Sequence, residues 1–177
     1  FSASAVFPIE GLAATMMSLL TRSGTAKLTA EQLEERLSFL GARLESGLGG
    51  GGGMMGIGGV PIGGTEARVS VNLLSKDLDE GLALLTGCLQ AAAFRADRLQ
   101  LEVDRQLQDM RQRNDATADL ETREWGFLMN GEGHWSNRYP TEASIRSITR
   151  DDLVALQRRY LGPKNFVVAM SGDLDKA

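Results

Sequence analysis

Three observations predict an α+β fold for this chain of 177 residues. Leucine and methionine recur at helical spacing in several separate segments. Residues 67–74 alternate apolar with polar, the pattern of a half-buried strand. Residues 164–170 form a short apolar run between Pro163 and Gly172, which reads as a buried strand. The length suits one domain, or a large piece of one.

The stretch around which the rest is organised is GLAATMMSLLTRSGT, residues 11–25. Leu12, Met16, Leu19 and Leu20 give one apolar helical face, and Pro8 stands where a helix can open without losing a hydrogen bond. Gly24 occupies a place where the end of a helix wants a left-handed residue. Upstream, residues 1–7 alternate weakly, like the end of a strand. A second helix starts at Thr29, with Gln32 three residues on as a capping box, presents Leu33, Leu37 and Leu40, and ends at Gly41. A strand is expected at residues 42–46.

Residues 47–64 follow, eleven of them glycine. Glycine has the most backbone entropy to lose, so this insertion reads as a mobile surface loop. A second reading is a flexible lip at an interface or substrate entrance, where Met54, Met55, Ile57, Val60 and Ile62 supply adaptable contacts. It lacks the Gly-Lys-Ser/Thr ending of a phosphate loop.

After the strand at 67–74, with Val69, Val71 and Leu73 on one face, a helix begins around Asp77 with Leu78, Leu82, Leu85 and Leu89 aligned. Cys88 lies on it and is expected to be a buried, inert thiol. Residues 116–130 read as another helix with Leu120, Phe127 and Leu128 inward, followed by a loop holding His134. Thr149 caps a further helix, aided by Asp151 and Asp152, with Leu153, Leu156 and Tyr160 inward. Pro163 stops it.

Composition excludes several classes. Hydrophobic residues make up 42% and charged residues 24%, ordinary for a globular fold. A net charge of −4 gives no basic field for nucleic acid. No apolar run is long enough to span a membrane. One cysteine allows no internal disulfide.

Several segments together resemble the pitrilysin/insulinase family of zinc metallopeptidases, whose relatives include the mitochondrial processing peptidase. Gly11, Leu12, Ala13 and the Gly24-Thr25 pair are similar to the frame of that family's zinc-binding helix. The run from Glu31 to Gly41 is similar to the helix that follows. Val71, Leu73, Leu74, Ser75, Asp77, Leu78, Leu82, Leu84 and Leu85 match its strand–helix pair. Gly133-His134, Thr141-Glu142 and Ile145 match a later loop and helix, with Trp135 where the family has proline. Asn165 and Gly172-Asp173 match its closing signature. Residues 94–112 look like the long helix that carries two glutamates two turns apart, the second of them a zinc ligand. Here Glu102 holds the earlier position and Asp109 the ligand position. The interval from Leu19 to Asp109 exceeds the family's by roughly the length of the glycine-rich insertion.

The resemblance implies a metallopeptidase-type (LuxS/processing-peptidase-like) two-layer α+β domain, with a mixed, mostly antiparallel sheet packed against helices. It implies one peptidase-like domain over residues 1–177, N-terminally incomplete, with the insertion at 47–64. The zinc chemistry is missing. In His-x-x-Glu-His two imidazoles bind the metal and the glutamate activates water. Those positions fall here on Thr15, Ser18 and Leu19, and the only histidine, His134, is far away in sequence. Leucine cannot bind zinc and serine cannot replace the base. The degenerate site is therefore Thr15, Ser18, Leu19, Glu102 and Asp109, with no catalytic or metal-binding residue and no cofactor. Zinc is expected only in a partner.

The expected role is a catalytically inactive pseudo-peptidase subunit, not an enzyme on its own. It would pair with an active His-x-x-Glu-His metallopeptidase subunit to form a chamber that degrades or processes peptides. The alternative is a structural core subunit without peptidase role. No nucleic acid and no membrane span are expected. Fifteen arginines against four lysines suit a GC-rich bacterial genome. The expected location is the bacterial periplasm or cell envelope, with an organelle such as the mitochondrion as the alternative.

Overall fold

A computed structural model describes residues 9–48, 67–112, 115, 117–134 and 137–173. The expected strand at 1–7, the helix start at Pro8 and nearly all of the glycine-rich insertion lie outside the described residues.

Seven α-helices and one two-stranded sheet are described, in the order α1 (Leu12–Leu20), α2 (Ala30–Phe39), β1 (Arg43–Leu48), β2 (Ala67–Asn72), α3 (Leu78–Ala91), α4 (Ala96–Gln112), α5 (Thr117–Asn130), α6 (Glu142–Arg146) and α7 (Arg150–Tyr160). Short 3-10 turns precede α3 and follow α7. The expectation of helices with an antiparallel sheet holds, with far more helix than sheet.

The first helix is the centre of the fold. It packs against β1, α4 and α7. The sequence predicts one apolar face, but the helix is covered nearly all round: only Ala14 and Ser18 among its residues are not fully buried. Met17 and Leu20 have no exposed surface. Each such side chain contributes about 2 kcal/mol through burial. Ala92, Phe94, Ile148, Leu153 and Leu156 complete this core, and Val103, Leu107 and Ile145 form a smaller cluster under α4.

Local chemistry explains most boundaries. Thr29 caps α2 through Gln32 in a reciprocal box, and Gly41 follows it at φ 59. Thr149 caps α7 with Asp152 in the same manner. Gly24 turns the chain after α1 at φ 76, where an added Cβ would lie 2.7 Å from the backbone of Leu28 and Ala30. The following Thr25 bridges to Ala92, so the turn is tied to the end of α3. Phe94 adopts φ 43 with its ring fully buried, and its N–H donates to the buried Ser23 hydroxyl at 3.2 Å.

Several expectations are corrected. The first strand runs two residues past the expected end, because Gly47 and Leu48 pair with Arg68 and Ala67. The second stops at Asn72, whose partner Arg43 begins β1. Opposed pairs Leu44–Val71 and Ser46–Val69 line one face, and the Ser46 hydroxyl donates to the Met17 carbonyl at 2.6 Å. On α3 the leucine stripe is only half-buried; Gly81 and Cys88 are the buried residues. Their small size permits the close approach, since a Cβ at Gly81 would sit 2.1 Å from Leu73 Cδ2.

On α5 the expected inward face is reversed at two of three positions. Leu128 is 74% exposed and Leu120 also faces solvent, while Phe127 is half-buried against Tyr139. Among the described side chains of this helix the buried residue is Gly126, against Asn137, whose amide donates to the Gly126 and Gly131 carbonyls. Helical periodicity alone did not say which stripe met a neighbour. The expected buried strand at 164–170 is also not formed. Residues 163–165 make a 3-10 turn and the chain then runs extended and exposed, with Val167 98% exposed. A strand is buried only between partners, and among the described residues β1 and β2 pair solely with each other.

Candidate functional site

The residues singled out by sequence converge on the seam between α1 and α4, except one. On α1, Thr15, Ser18 and Leu19 lie within two turns, and α4 crosses them with Glu102 and Gln106. The Thr15 hydroxyl is fully buried and donates to the Gly11 carbonyl at 3.0 Å. It accepts from Gln106 Nε2 at 3.0 Å. The same amide nitrogen donates to Glu102 Oε1 at 2.8 Å. Thr15, Gln106 and Glu102 thus form a chain of hydrogen bonds from one helix to the other.

Glu102 is the centre of this knot. Its side chain is 6% exposed. Arg105 binds it through two nitrogens, Nη2 to Oε1 at 2.6 Å and Nε to Oε2 at 3.0 Å. A third guanidinium nitrogen, Nη1, reaches Asp109 Oδ2 at 2.8 Å. The i to i+3 and i to i+4 spacing along α4 sets this arrangement. Burial pushes the Glu102 carboxyl up, but hydrogen bonds from Arg105 and Gln106, the Arg105 charge and the Ser18 hydroxyl outweigh it and leave the carboxyl below its ordinary range. The Glu102 hydrogen bonds in turn hold the Arg105 guanidinium above its ordinary value.

Asp109 does not join Thr15, Ser18 and Leu19 in the seam. Its side chain is 59% exposed and is held through Arg105. His134 sits on a loop whose backbone is tied to Gly131 and Asn137. Among the described residues no three His, Cys, Asp or Glu side chains are placed to hold a metal ion. Cys88 is fully buried, and burial pushes its thiol up to about 11, the state of an inert thiol.

Sequence reasoning missed Arg105 and Gln106. Their signal was present as Glu102-x-x-Arg105-Gln106-x-x-Asp109, a spacing that sets a cation between two acids on one helical face. What the arrangement can do follows from its donors. An ionised carboxylate only accepts hydrogen bonds, and Glu102 already receives them from a guanidinium and an amide. Thr15 and Leu19 offer no imidazole, and zinc sites are built from Cys, His, Asp and Glu donors. The residues of the seam hold two helices together, and Thr15, Ser18 and Leu19 are not the donors a zinc ion needs.

A buried central helix, flanked by a small antiparallel sheet and by a long helix carrying the acid–guanidinium knot, defines an α+β domain with a peptidase M16-like fold. The chain superimposes on the crystal structure of a peptidase M16 inactive domain from Pseudomonas fluorescens with a TM-score of 0.66 at 19% sequence identity. The match covers 87% of this chain and 34% of that one, so this chain spans about a third of the neighbour's length. At that identity the likeness defines the fold alone. No family model and no curated protein matches the sequence. Among the described residues, no helix is long and apolar enough to cross a membrane.

Proposed function

We propose that this chain is a catalytically inactive pseudo-peptidase subunit. It pairs with an active, zinc-bearing subunit that carries His-x-x-Glu-His, and together they enclose a chamber that degrades or processes peptides. Its part is to hold extended peptide and to stabilise the partner. The observation that carries this reading is the seam itself. In a domain with an M16-like fold, the helix that resembles a zinc helix bears Thr15, Ser18 and Leu19, and the facing glutamate is neutralised by the chain's own Arg105. The one acid that α4 brings to that helix, Glu102, is engaged by Arg105 and Gln106.

Exposed apolar residues support an assembled state. Trp125, Leu128 and Met129 on α5 and Val167, Val168 and Met170 in the extended segment all face solvent. Exposed apolar side chains on two segments are what contact with another protein surface would cover. We place the assembly in the bacterial cell envelope.

Affinity purification of the native protein followed by mass spectrometry tests the proposal. A co-purifying subunit with an intact His-x-x-Glu-His is the expected result. Recovery of the protein alone, or only with membrane redox proteins, sinks it in favour of a structural core subunit.

A further inference from the structure

Beside the Glu102 knot, an open groove of about 400 Å³ runs between the end of α1 and the outer side of α4. Leu19 and Leu101 provide its apolar lining, and three arginines surround them: Arg22 just past α1, and Arg98 and Arg105 on α4. On α4 these residues recur every three or four positions, so they form one stripe of that helix. Leu101 is 61% exposed, a large apolar side chain facing solvent among guanidinium groups.

The charges in the groove are not equally available. Two acids also line it, Glu102 and Asp104. Glu102 is neutralised by Arg105, and Asp104 accepts from Gln100 at 3.0 Å. The acids paired with Arg98, Glu31 and Asp97, are 72% and 74% exposed. Such pairs exchange partners at small cost. Arg22 is exposed and makes no ion pair among the described residues. A cationic lip over an apolar floor therefore stands on a chain whose net charge is −4.

We propose that this groove binds an acidic peptide in extended conformation. A peptide carboxylate docks on Arg22 and Arg98, and a neighbouring apolar side chain covers Leu101. The guanidinium fork suits this occupant because it pairs with a carboxylate through two parallel hydrogen bonds. Alternate side chains of an extended peptide point the same way, about 7 Å apart, so one segment offers both contacts. This inference rests on the peptide-holding role proposed above and names the chemistry of the peptide held.

The test is fluorescence anisotropy of the purified protein with two labelled peptides, one of alternating Glu and Leu and one of alternating Lys and Leu. The acidic peptide binds and the basic one does not, and binding weakens as salt is raised. Arg22→Glu weakens the acidic peptide at least about tenfold, the worth of one charge-assisted pair. Leu101→Asp weakens it comparably. Both positions are exposed, so far-UV circular dichroism stays unchanged. Equal binding of the two peptides overturns the assignment, as does acidic-peptide binding that neither variant weakens. If only the basic peptide binds, peptide holding survives at another place and this groove is wrong. If neither binds, the groove assignment falls, while pairing with an active subunit is decided separately by co-purification.

Discussion

Replacing Arg105 with leucine should expose how the α1–α4 seam is balanced. The variant loses the two hydrogen bonds to Glu102 and the one to Asp109. Removing one partner of a fully buried ion pair costs about 3–5 kcal/mol. Here the glutamate is buried but the Arg105 side chain is 50% exposed, so water reaches the orphaned carboxylate and the cost falls toward that of a surface pair, at most about 1 kcal/mol. The expected loss lies between, about 2 kcal/mol at pH 7, and the exposed Asp109 pair supplies only about 0.3–0.5 of it. The pH dependence carries the sign. Glu102 has a lowered pKa in the folded protein, so its stabilisation is present above the unfolded carboxylate value of about 4.3 and is lost as pH falls through the folded value. In Arg105→Leu the main influence left on the carboxyl is burial, which favours the neutral acid. The gap between parent and variant therefore closes as pH drops from 7 to about 4. Urea unfolding followed by far-UV circular dichroism at both pH values measures it. The double variant Glu102→Leu with Arg105→Leu should be more stable than Arg105→Leu alone, because no charge is left buried. A gap that is the same at both pH values, or a double variant less stable than the single one, refutes the reasoning.

Gly24→Ala should cost more than about 3 kcal/mol in the same unfolding assay, since the left-handed backbone and a clash with Leu28 and Ala30 backbone atoms add together; a loss below about 1 kcal/mol would mean that this turn can relax. Thr29→Ala removes a capping box and should cost about 1 kcal/mol, most of it regained in Thr29→Ser. Ser23→Ala strips the acceptor from the buried Phe94 N–H and should cost about 1–3 kcal/mol, with unchanged stability as the contrary outcome. Cys88, its thiol pushed up to about 11 by burial, should resist iodoacetamide in native buffer near pH 8 and react once urea unfolds the chain; mass spectrometry reads both, and native-state labelling would disprove its burial.

Much of the local structure was legible because its causes lie within a few residues. The capping boxes at Thr29 and Thr149 pair residues three apart, and the turns at Gly24 and Gly41 need only a residue tolerant of positive φ. The inertness of Cys88 followed from its apolar surroundings in sequence. Where a second element was required, local pattern did not decide. Leu120 and Leu128 lie at helical spacing, yet spacing does not reveal which stripe of α5 meets another surface. Residues 166–170 have strand composition, yet a strand needs a partner edge. The packing of Leu73 against Gly81 likewise needs the sheet to be in place beside α3.

The same division runs through the candidate site. The resemblance read from sequence sets Thr15, Ser18 and Leu19 against the histidine and glutamate positions of a zinc helix, and residue type alone says that none of the three is an imidazole or a carboxylate. Tertiary structure decided how these residues are bonded. Only the crossing of α1 and α4 brings Gln106 onto Thr15, buries Glu102 and leaves Asp109 in solvent. Whether Glu102 acts as a free acid or as half of an internal ion pair depends on burial and on the third dimension of α4, neither of which a one-dimensional spacing contains.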